Sequence, residues 1–408
     1  MNLKNRVSLD QAIDIVETTI EEVGNKLREL DRQIWSNPEC AFEEHHAHDA
    51  ICSFLESENI QVTRHAYGLQ TAFEARSGNS EANGQLINFN AEYDALPGIG
   101  HACGHNLIAI SSIAAFLALS ALIHQLGLDG GTQLLGTPAE ENGGGKTILL
   151  RNGAYKDVAV SLMAHGGPTS MGDGKAGILM NARQQINCEF MGKSAHAGAT
   201  PWDGQNALDA FVSAYTGVSM LRQQIRPEER IHCALLGTPK VANVIPASTK
   251  ACWQVRSPTL GGLRSLVDRV QKCIQAGALA TGCEAELIQE DHYTDIKLNG
   301  TLCELYQAHM AHYGRNVAKK ASEILTGSTD AGNVSYAVPT LHSFFSIDAP
   351  DGSCPHQPSY TEAAGTDHAH DQAILVGKVL ALVGFDLVTA PDILERVQQQ
   401  WKEAIEAE

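Results

Sequence analysis

Gln85-Leu-Ile-Asn-Phe-Asn90 is followed, after a loop, by His101-Ala-Cys-Gly-His105-Asn106 and then by an apolar stretch from Leu107 to Ile123. The first run reads as a strand and the last as a long helix, so Cys103 and His105 sit where a strand hands over to a helix. Open α/β sheets place their chemistry at that end of their strands. A thiol and an imidazole two residues apart are donors that a zinc-like ion takes. Taken alone, the pair reads equally well as a buried thiol beside a turn histidine.

Two downstream segments repeat the arrangement. Leu134-Leu-Gly-Thr-Pro-Ala-Glu140-Glu141 reads as a strand ending in paired carboxylates, and Val158-Ala-Val-Ser-Leu-Met-Ala-His165 as one ending in a histidine. Three consecutive strands thus bring Cys, His, Glu and His to matching ends, with helical segments near 105–127 and 144–153 between them. The pattern predicts an α/β fold, a mainly parallel sheet with helices on both faces, and a metal site at its carboxyl edge.

The chain has 408 residues, 43% hydrophobic and 19% charged, enough for two domains with large cores. Its net charge of -18 argues against nucleic acid as a partner, since phosphate binding needs clustered Lys and Arg. Ten cysteines without a CxxC pair, and a start (Met-Asn-Leu-Lys-Asn-Arg-Val-Ser) lacking an apolar core, predict a cytoplasmic protein with free thiols. The stretch from Leu107 to Ile123 nearly suffices to span a bilayer, but its place between predicted strands makes it a core helix and not a membrane segment.

The first ~60 residues read as helices at Leu9–Trp35 and Ala47–Glu58. Near residue 180 the pattern changes: strand (Gln184–Met191), helix (Asn206–Arg226), strands (Ile231–Leu236 and Lys250–Val255), helix (Leu260–Ala280), strand (Glu284–Glu290). That βαββαβ order predicts an inserted ferredoxin-like α+β domain at 181–291, splitting a catalytic domain into 1–180 and 292–408. The parent domain resumes through Thr340–Phe345 and a helix over Asp371–Phe385, and Pro391–Glu408 reads as a solvated flanking helix.

Taken in order, several motifs carry a resemblance. They are Asn37-Pro-Glu-Cys-Ala-Phe-Glu-Glu44, the run from Ala91 to Ile108, Gly136-Thr-Pro-Ala-Glu-Glu141, Gly192-Lys-Ser-Ala-His-Ala197, Pro201–Leu208, Gly327–Ser335 and His356–Gly365. The chain resembles the metal-dependent aminoacylase and carboxypeptidase family of cocatalytic metallohydrolases. Within its amidohydrolase branch it looks most like the cytosolic dipeptidases that release a C-terminal basic residue. The resemblance implies a zinc-exopeptidase-like catalytic domain with an inserted lid and dimerisation domain. It implies two divalent ions, zinc foremost with manganese or cobalt as alternatives, held by Cys103, His105, Glu141, His165 and His356. His342, His368 and His370 compete for the last ligand position. His356 is preferred because it precedes Ser-Tyr-Thr where the family's final histidine lies, and His368 and His370 then read as a solvated helix start.

By the same resemblance Glu140 would be the general base. Neighbouring side chains at a strand end diverge, which would leave one carboxylate free to move a proton. Asp94 would orient a metal ligand, or else be a simple turn residue before Leu96-Pro97. His196 would stabilise the tetrahedral intermediate in a partner subunit, implying a homodimer built through the insert. Asn243 and Arg256 resemble residues that contact a substrate carboxylate, although Arg256 reads equally well as a surface ion-pair residue. Gly327, Ser328 and Thr329 would line the substrate pocket. The expected reaction is hydrolysis of a dipeptide or an N-acyl amino acid. A biosynthetic or amide-forming use of the same site, or a catalytically silent dimeric binding protein, are the other readings.

Two departures stand out. Most of the branch carries Asp after the second histidine, whereas this chain has Asn106, as the dipeptidase-like relatives do. The segment after His165, Gly-Gly-Pro-Thr, differs from those relatives and puts the pocket's shape in question. His45, His46 and His48 form an apparent metal cluster that reads as solvated side chains at a helix start.

Overall fold

The computed structural model describes residues 8–78, 85–237, 239–320 and 325–408. The amino-terminal heptad considered above for a targeting segment lies outside them. The chain forms two compact units, one of Met1–Leu179, Ile296–Glu323 and Asp330–Glu408, the other of Met180–Asp295 and Ile324–Thr329.

The larger unit is built on strands β1 (Val62–Arg64), β2 (Phe73–Gly78), β3 (Leu86–Ala91), β4 (Gly131–Gly136), β5 (Val158–Pro168), β6 (Gly174–Lys175) and, late in the chain, β11 (Thr340–Ile347). Their order is β1-β2-β4-β3-β5-β11-β6. The central four strands are mutually parallel, and β1, β2 and β6 pair antiparallel at the edges. β3 is buried along its whole length, as a strand covered on both faces must be.

Helices α1 (Leu9–Ser36) and α2 (His45–Ser57) precede the sheet in the chain, and α3 (His105–Leu126) connects β3 to β4. Every residue of α3 from His105 to Ser120 is buried, so the segment long enough to cross a bilayer is a core helix here. Ile87, Phe89 and Ala91 of β3 point into one core with α3, while Leu86 and Leu135 join Leu149 and Val334 on the opposite side. Those last two belong to α4 (Gly145–Arg151) and α8 (Ala331–Ala337).

The smaller unit contains β7 (Ala182–Met191), α5 (Ala207–Leu221), β8 (Arg230–Gly237), β9 (Ser248–Ser257), α6 (Leu260–Thr281) and β10 (Glu284–Gln289). Its sheet runs β10-β7-β9-β8, all antiparallel. β7 alternates buried and half-buried residues, the signature of a sheet with one face on a core, and Ile186, Phe190 and Trp253 fill that core.

Helices α7 (Gly300–His312), α9 (Pro358–Ala364), α10 (Asp367–Thr389) and α11 (Pro391–Glu406) complete the larger unit. Two expectations need correcting. α11 is no solvated flank: Leu394 and Val397 are buried, and the Trp401 indole N–H donates to the Ser335 carbonyl at 2.8 Å. A strongly charged outer face concealed a narrow apolar stripe. His48 and His370 are also not solvated. His48 is buried against Cys52 and Asp49, and His370 is buried 2.7 Å from Asp31 Oδ2.

Candidate metal centre

β3 ends at Ala91, and the chain loops over thirteen residues before α3 begins at His105. A turn closed by Leu96 and Gly100 shortens the loop, and His101 Nε2 lies 3.1 Å from the Ile34 carbonyl, tying it to α1. Burial lowers the His101 pKa to about 4, so this ring is neutral and structural. Gly104 caps α3 with φ at 73°, a left-handed conformation that glycine adopts freely. Cys103 and His105 flank that glycine, which sets both side chains at the helix entry.

The carboxylate pair arrives differently from the sequence expectation. β4 stops at Gly136, and Glu140 and Glu141 lie on the turn that follows it. Pro138 cannot donate to a ladder, and Ala139 takes a left-handed φ of 59°. Its N–H donates to buried Glu44 Oε1 at 2.8 Å. At Gly145 the chain passes so close that a Cβ would meet the Pro138 carbonyl at 1.8 Å. The two glutamates thus sit on a pinned turn and not at a strand end, so strand alternation does not set their directions. His165 similarly sits within β5, three residues before its end.

Together these elements converge. Cys103 Sγ lies 3.4 Å from His165 Nε2, and His356 Nε2 lies 3.2 Å from Glu141 Oε1. Donor atoms of Cys103, His105 and His165 fall within 4.8 Å of one another, as do those of Cys103, Glu141 and His356, and those of His105, Glu140 and Glu141. Cys103 is common to the first two groups. His356 adopts φ of 72°, a conformation that costs a non-glycine residue about 1 kcal/mol or more, and its N–H is held by the Ala102 carbonyl at 2.8 Å. Behind the ligand candidates, Asp94 Oδ1 is 3.0 Å from His105 Nδ1, and its Oδ2 accepts the Glu141 N–H at 3.0 Å.

The donor set fits divalent ions. His105 Nε2 is fully buried and makes no hydrogen bond among the described residues, its nearest carboxylate oxygen being Glu92 Oε2 at 3.6 Å. Burial, with the charge of Glu141, holds the Cys103 thiol well above its ordinary range, so without a cation beside it this sulfur stays protonated. Burial raises Glu140 well above the usual carboxylate range, and the charges of Glu92 and Glu141 add to it. Burial pushes Glu141 the same way but is outweighed by His356 and His105, leaving it below that range. Two adjacent carboxylates are thereby driven apart in proton affinity.

A buried network that the sequence reading missed lies behind the pair. Lys146 Nζ reaches Glu92 Oε1 at 2.6 Å and Asp330 Oδ1 at 2.7 Å, all three side chains being fully buried. The Lys146 N–H also donates to Asp330 Oδ2 at 2.8 Å. One signal was available: a lone Lys opens an otherwise apolar helix, after three glycines and close behind the two glutamates.

The remaining candidates belong to none of these donor groups. His196 is exposed in the smaller unit, where its Nδ1 accepts N–H bonds from Gly198 and Ala199, both at 3.1 Å. Nδ1 as acceptor leaves the proton of the neutral ring on Nε2. Asn243 is exposed, and its carbonyl receives the Ala197 N–H. Arg256 Nη1 contacts the Thr326 carbonyl and Ser328 Oγ, both at 3.2 Å, and the Gly327 carbonyl accepts the Asn181 N–H. Thr329 is buried. Of the competing histidines, His342 is buried beside His165, with ring centroids 6.1 Å apart and its pKa pushed down to about 3 by burial, but it belongs to none of the donor groups. His368 and His370 belong to none either.

The model of peptidase family M20/M25/M40 matches residues 88–370. The chain belongs to that family. It is 38% identical to the Xaa-Arg dipeptidase of Mus musculus over 94% of this chain and 90% of that one. Against the Homo sapiens Xaa-Arg dipeptidase the identity is 36%, over 95% and 92%. Among solved structures, a dinuclear metal binding peptidase of the M20 family from Bacillus subtilis superposes with a TM-score of 0.66 at 18% identity, covering 90% of this chain and 99% of that one.

Proposed function

We propose that this chain hydrolyses the amide bond of a dipeptide or an N-acyl amino acid. The observation that carries the reading is a set of overlapping donor groups, Cys103 with His105 and His165, Cys103 with Glu141 and His356, and His105 with Glu140 and Glu141, in which Glu140 holds its proton tightly. Cys103, His105, Glu141, His165 and His356 would hold two divalent ions. Zinc suits the sulfur and nitrogen donors best, with manganese or cobalt as alternatives. Such ions supply the Lewis acidity that polarises an amide carbonyl and acidifies water.

The protein's own groups do the rest. Glu140, held proton-hungry by its burial and by Glu92 and Glu141, takes a proton from the attacking water and returns it to the departing amine. Asp94 fixes the His105 ring and the Glu141 backbone at once. His196 offers an exposed Nε2–H for the oxygen that gains charge; we assign it to the site of a partner subunit, in a homodimer formed through the segment 181–291. Arg256 and Asn243 would receive the substrate's carboxylate, and Gly327, Ser328 and Thr329 would line the pocket. All ten cysteines are free thiols, which suits a reducing compartment such as the cytoplasm.

The test is amine release from a panel of dipeptides and N-acyl amino acids, using metal-stripped protein reloaded with zinc, manganese or cobalt. Turnover should appear with metal and fall by about 10²–10⁴-fold in Glu140→Gln while metal content is unchanged. A Glu140→Gln protein that keeps turnover within about tenfold of the parent would overturn its assignment as base.

A further inference from the structure

Three arginines stand in one row across the smaller unit's sheet. Arg183 of β7 is the direct cross-strand partner of Arg256 of β9, which is the direct partner of Arg230 of β8. Residues so paired share a face and have Cβ atoms about 5 Å apart, and like charges in that relation repel. No carboxylate pairs with any of the three guanidiniums among the described residues. Arg183 rests instead on the Tyr293 ring, 4.1 Å from its centroid. Arg230 donates to backbone carbonyls of its own turn. Arg256 has only long contacts, to Thr326, Ser328 and Gln254.

The carboxylates that bond neighbouring side chains of this sheet do not reach the arginines. Glu290 accepts from Gln185 and Asn187, and Glu189 pairs with Lys250 and Ser248. Arg256 is half-buried, and that burial together with the neighbouring Arg183 lowers its pKa. Two adjacent cations held on a rigid sheet without a counter-charge form an incomplete arrangement that an anion completes.

We infer that Arg183 and Arg256 together bind a ligand carrying two carboxylates, so that the preferred substrate ends in aspartate or glutamate. Direct cross-strand pairing sets the roots of the two side chains about 5 Å apart, so a small dicarboxylate can meet both guanidiniums. Tyr293 braces Arg183, which limits the rotamer freedom lost on binding. Ser328, already at Arg256, adds a hydroxyl donor. A C-terminal lysine or arginine side chain would instead face two positive charges, so this chain departs from the preference that the names of its dipeptidase relatives state. The identity of the ligand as substrate rests on the hydrolase reading above; the dicarboxylate site itself does not.

Two measurements on the full-length, metal-loaded protein separate these. Calorimetric titration with glutarate and butyrate should show glutarate binding roughly ten- to hundredfold more tightly, a difference erased in Arg183→Gln and partly kept in Arg183→Lys. Steady-state hydrolysis should favour Ala-Glu over Ala-Gln and Ala-Arg by a similar factor, with Arg183→Gln lowering kcat/KM for Ala-Glu alone. Glutarate binding no better than butyrate, or Ala-Arg cleaved faster than Ala-Glu, overturns the inference while leaving the hydrolase intact. Arg183-dependent glutarate binding without cleavage of any amide supports the site and refutes the hydrolase reading. Thermal unfolding of both variants should match the parent, because Arg183 makes no ion pair among the described residues.

Discussion

Asp94 Oδ1 lies 3.0 Å from His105 Nδ1, with both side chains completely buried. The contact fixes which nitrogen of the ring faces the other donors, since Nδ1 is occupied and Nε2 is left over. Asp94→Asn keeps the shape but removes the charge that orients the imidazole. Metal affinity should fall by about 10–100-fold, measured by chelator competition. Unchanged affinity would reduce Asp94 to a turn residue.

Lys146 is the buried counter-ion of Glu92 and Asp330. Lys146→Met would strand two carboxylates, and removing one partner of a buried pair costs about 3–5 kcal/mol. A large drop in Tm should follow. The triple variant with Glu92→Gln and Asp330→Asn should recover most of it. Recovery would show that the loss is electrostatic and not a matter of packing.

Glu44 has its pKa raised to about 7, first by burial and then by the charge of Asp94. A carboxyl group that binds its proton more tightly when folded contributes stability at low pH. That contribution is complete below about pH 4 and is lost as pH rises through about 7. Its size is on the order of 3 kcal/mol. Denaturant midpoints from pH 4 to 8 should show the parent losing this stability across that window and Glu44→Gln losing less. Parallel profiles would contradict the assignment.

Asn106 Nδ2 donates to Asp31 Oδ1 at 2.7 Å and to the Ala364 carbonyl at 3.0 Å. Asn106→Asp would place a second buried carboxylate against Asp31, with a penalty of several kcal/mol. Adding Asp31→Asn should restore the pair with its roles reversed, visible as non-additive Tm shifts in a double-mutant cycle. Asn106 is thus explained by what it faces across the core: a helix residue far away in sequence requires a donor there.

The strand–helix alternation was legible because α3 is apolar nearly all round and β5 opens on a mostly apolar run, although β3 carries two buried asparagines. The residue types of the metal centre were legible because each lies near a break between elements. What sequence could not supply was pairing. Nothing in the spacing says that Lys146 meets Asp330, 184 residues away, or that His370 meets Asp31. Nor does periodicity reveal that Arg183, Arg256 and Arg230 share a row, because register depends on how the whole sheet assembles. The turn at Glu140 and Glu141 was misread for a local reason, a left-handed alanine after a proline. Alanine gives no warning of positive φ.

Arg183 and Tyr293 exchange backbone hydrogen bonds, N–H to carbonyl in both directions, at 2.8 and 2.9 Å. They stand near the two ends of the smaller unit's long segment, Met180–Asp295, so that segment enters and leaves at adjacent points. A segment whose ends already touch behaves like a cassette. Replacing it with a short turn would not ask the flanking chain to span a gap, while Thr326 and Ser328 would lose their contacts with Arg256.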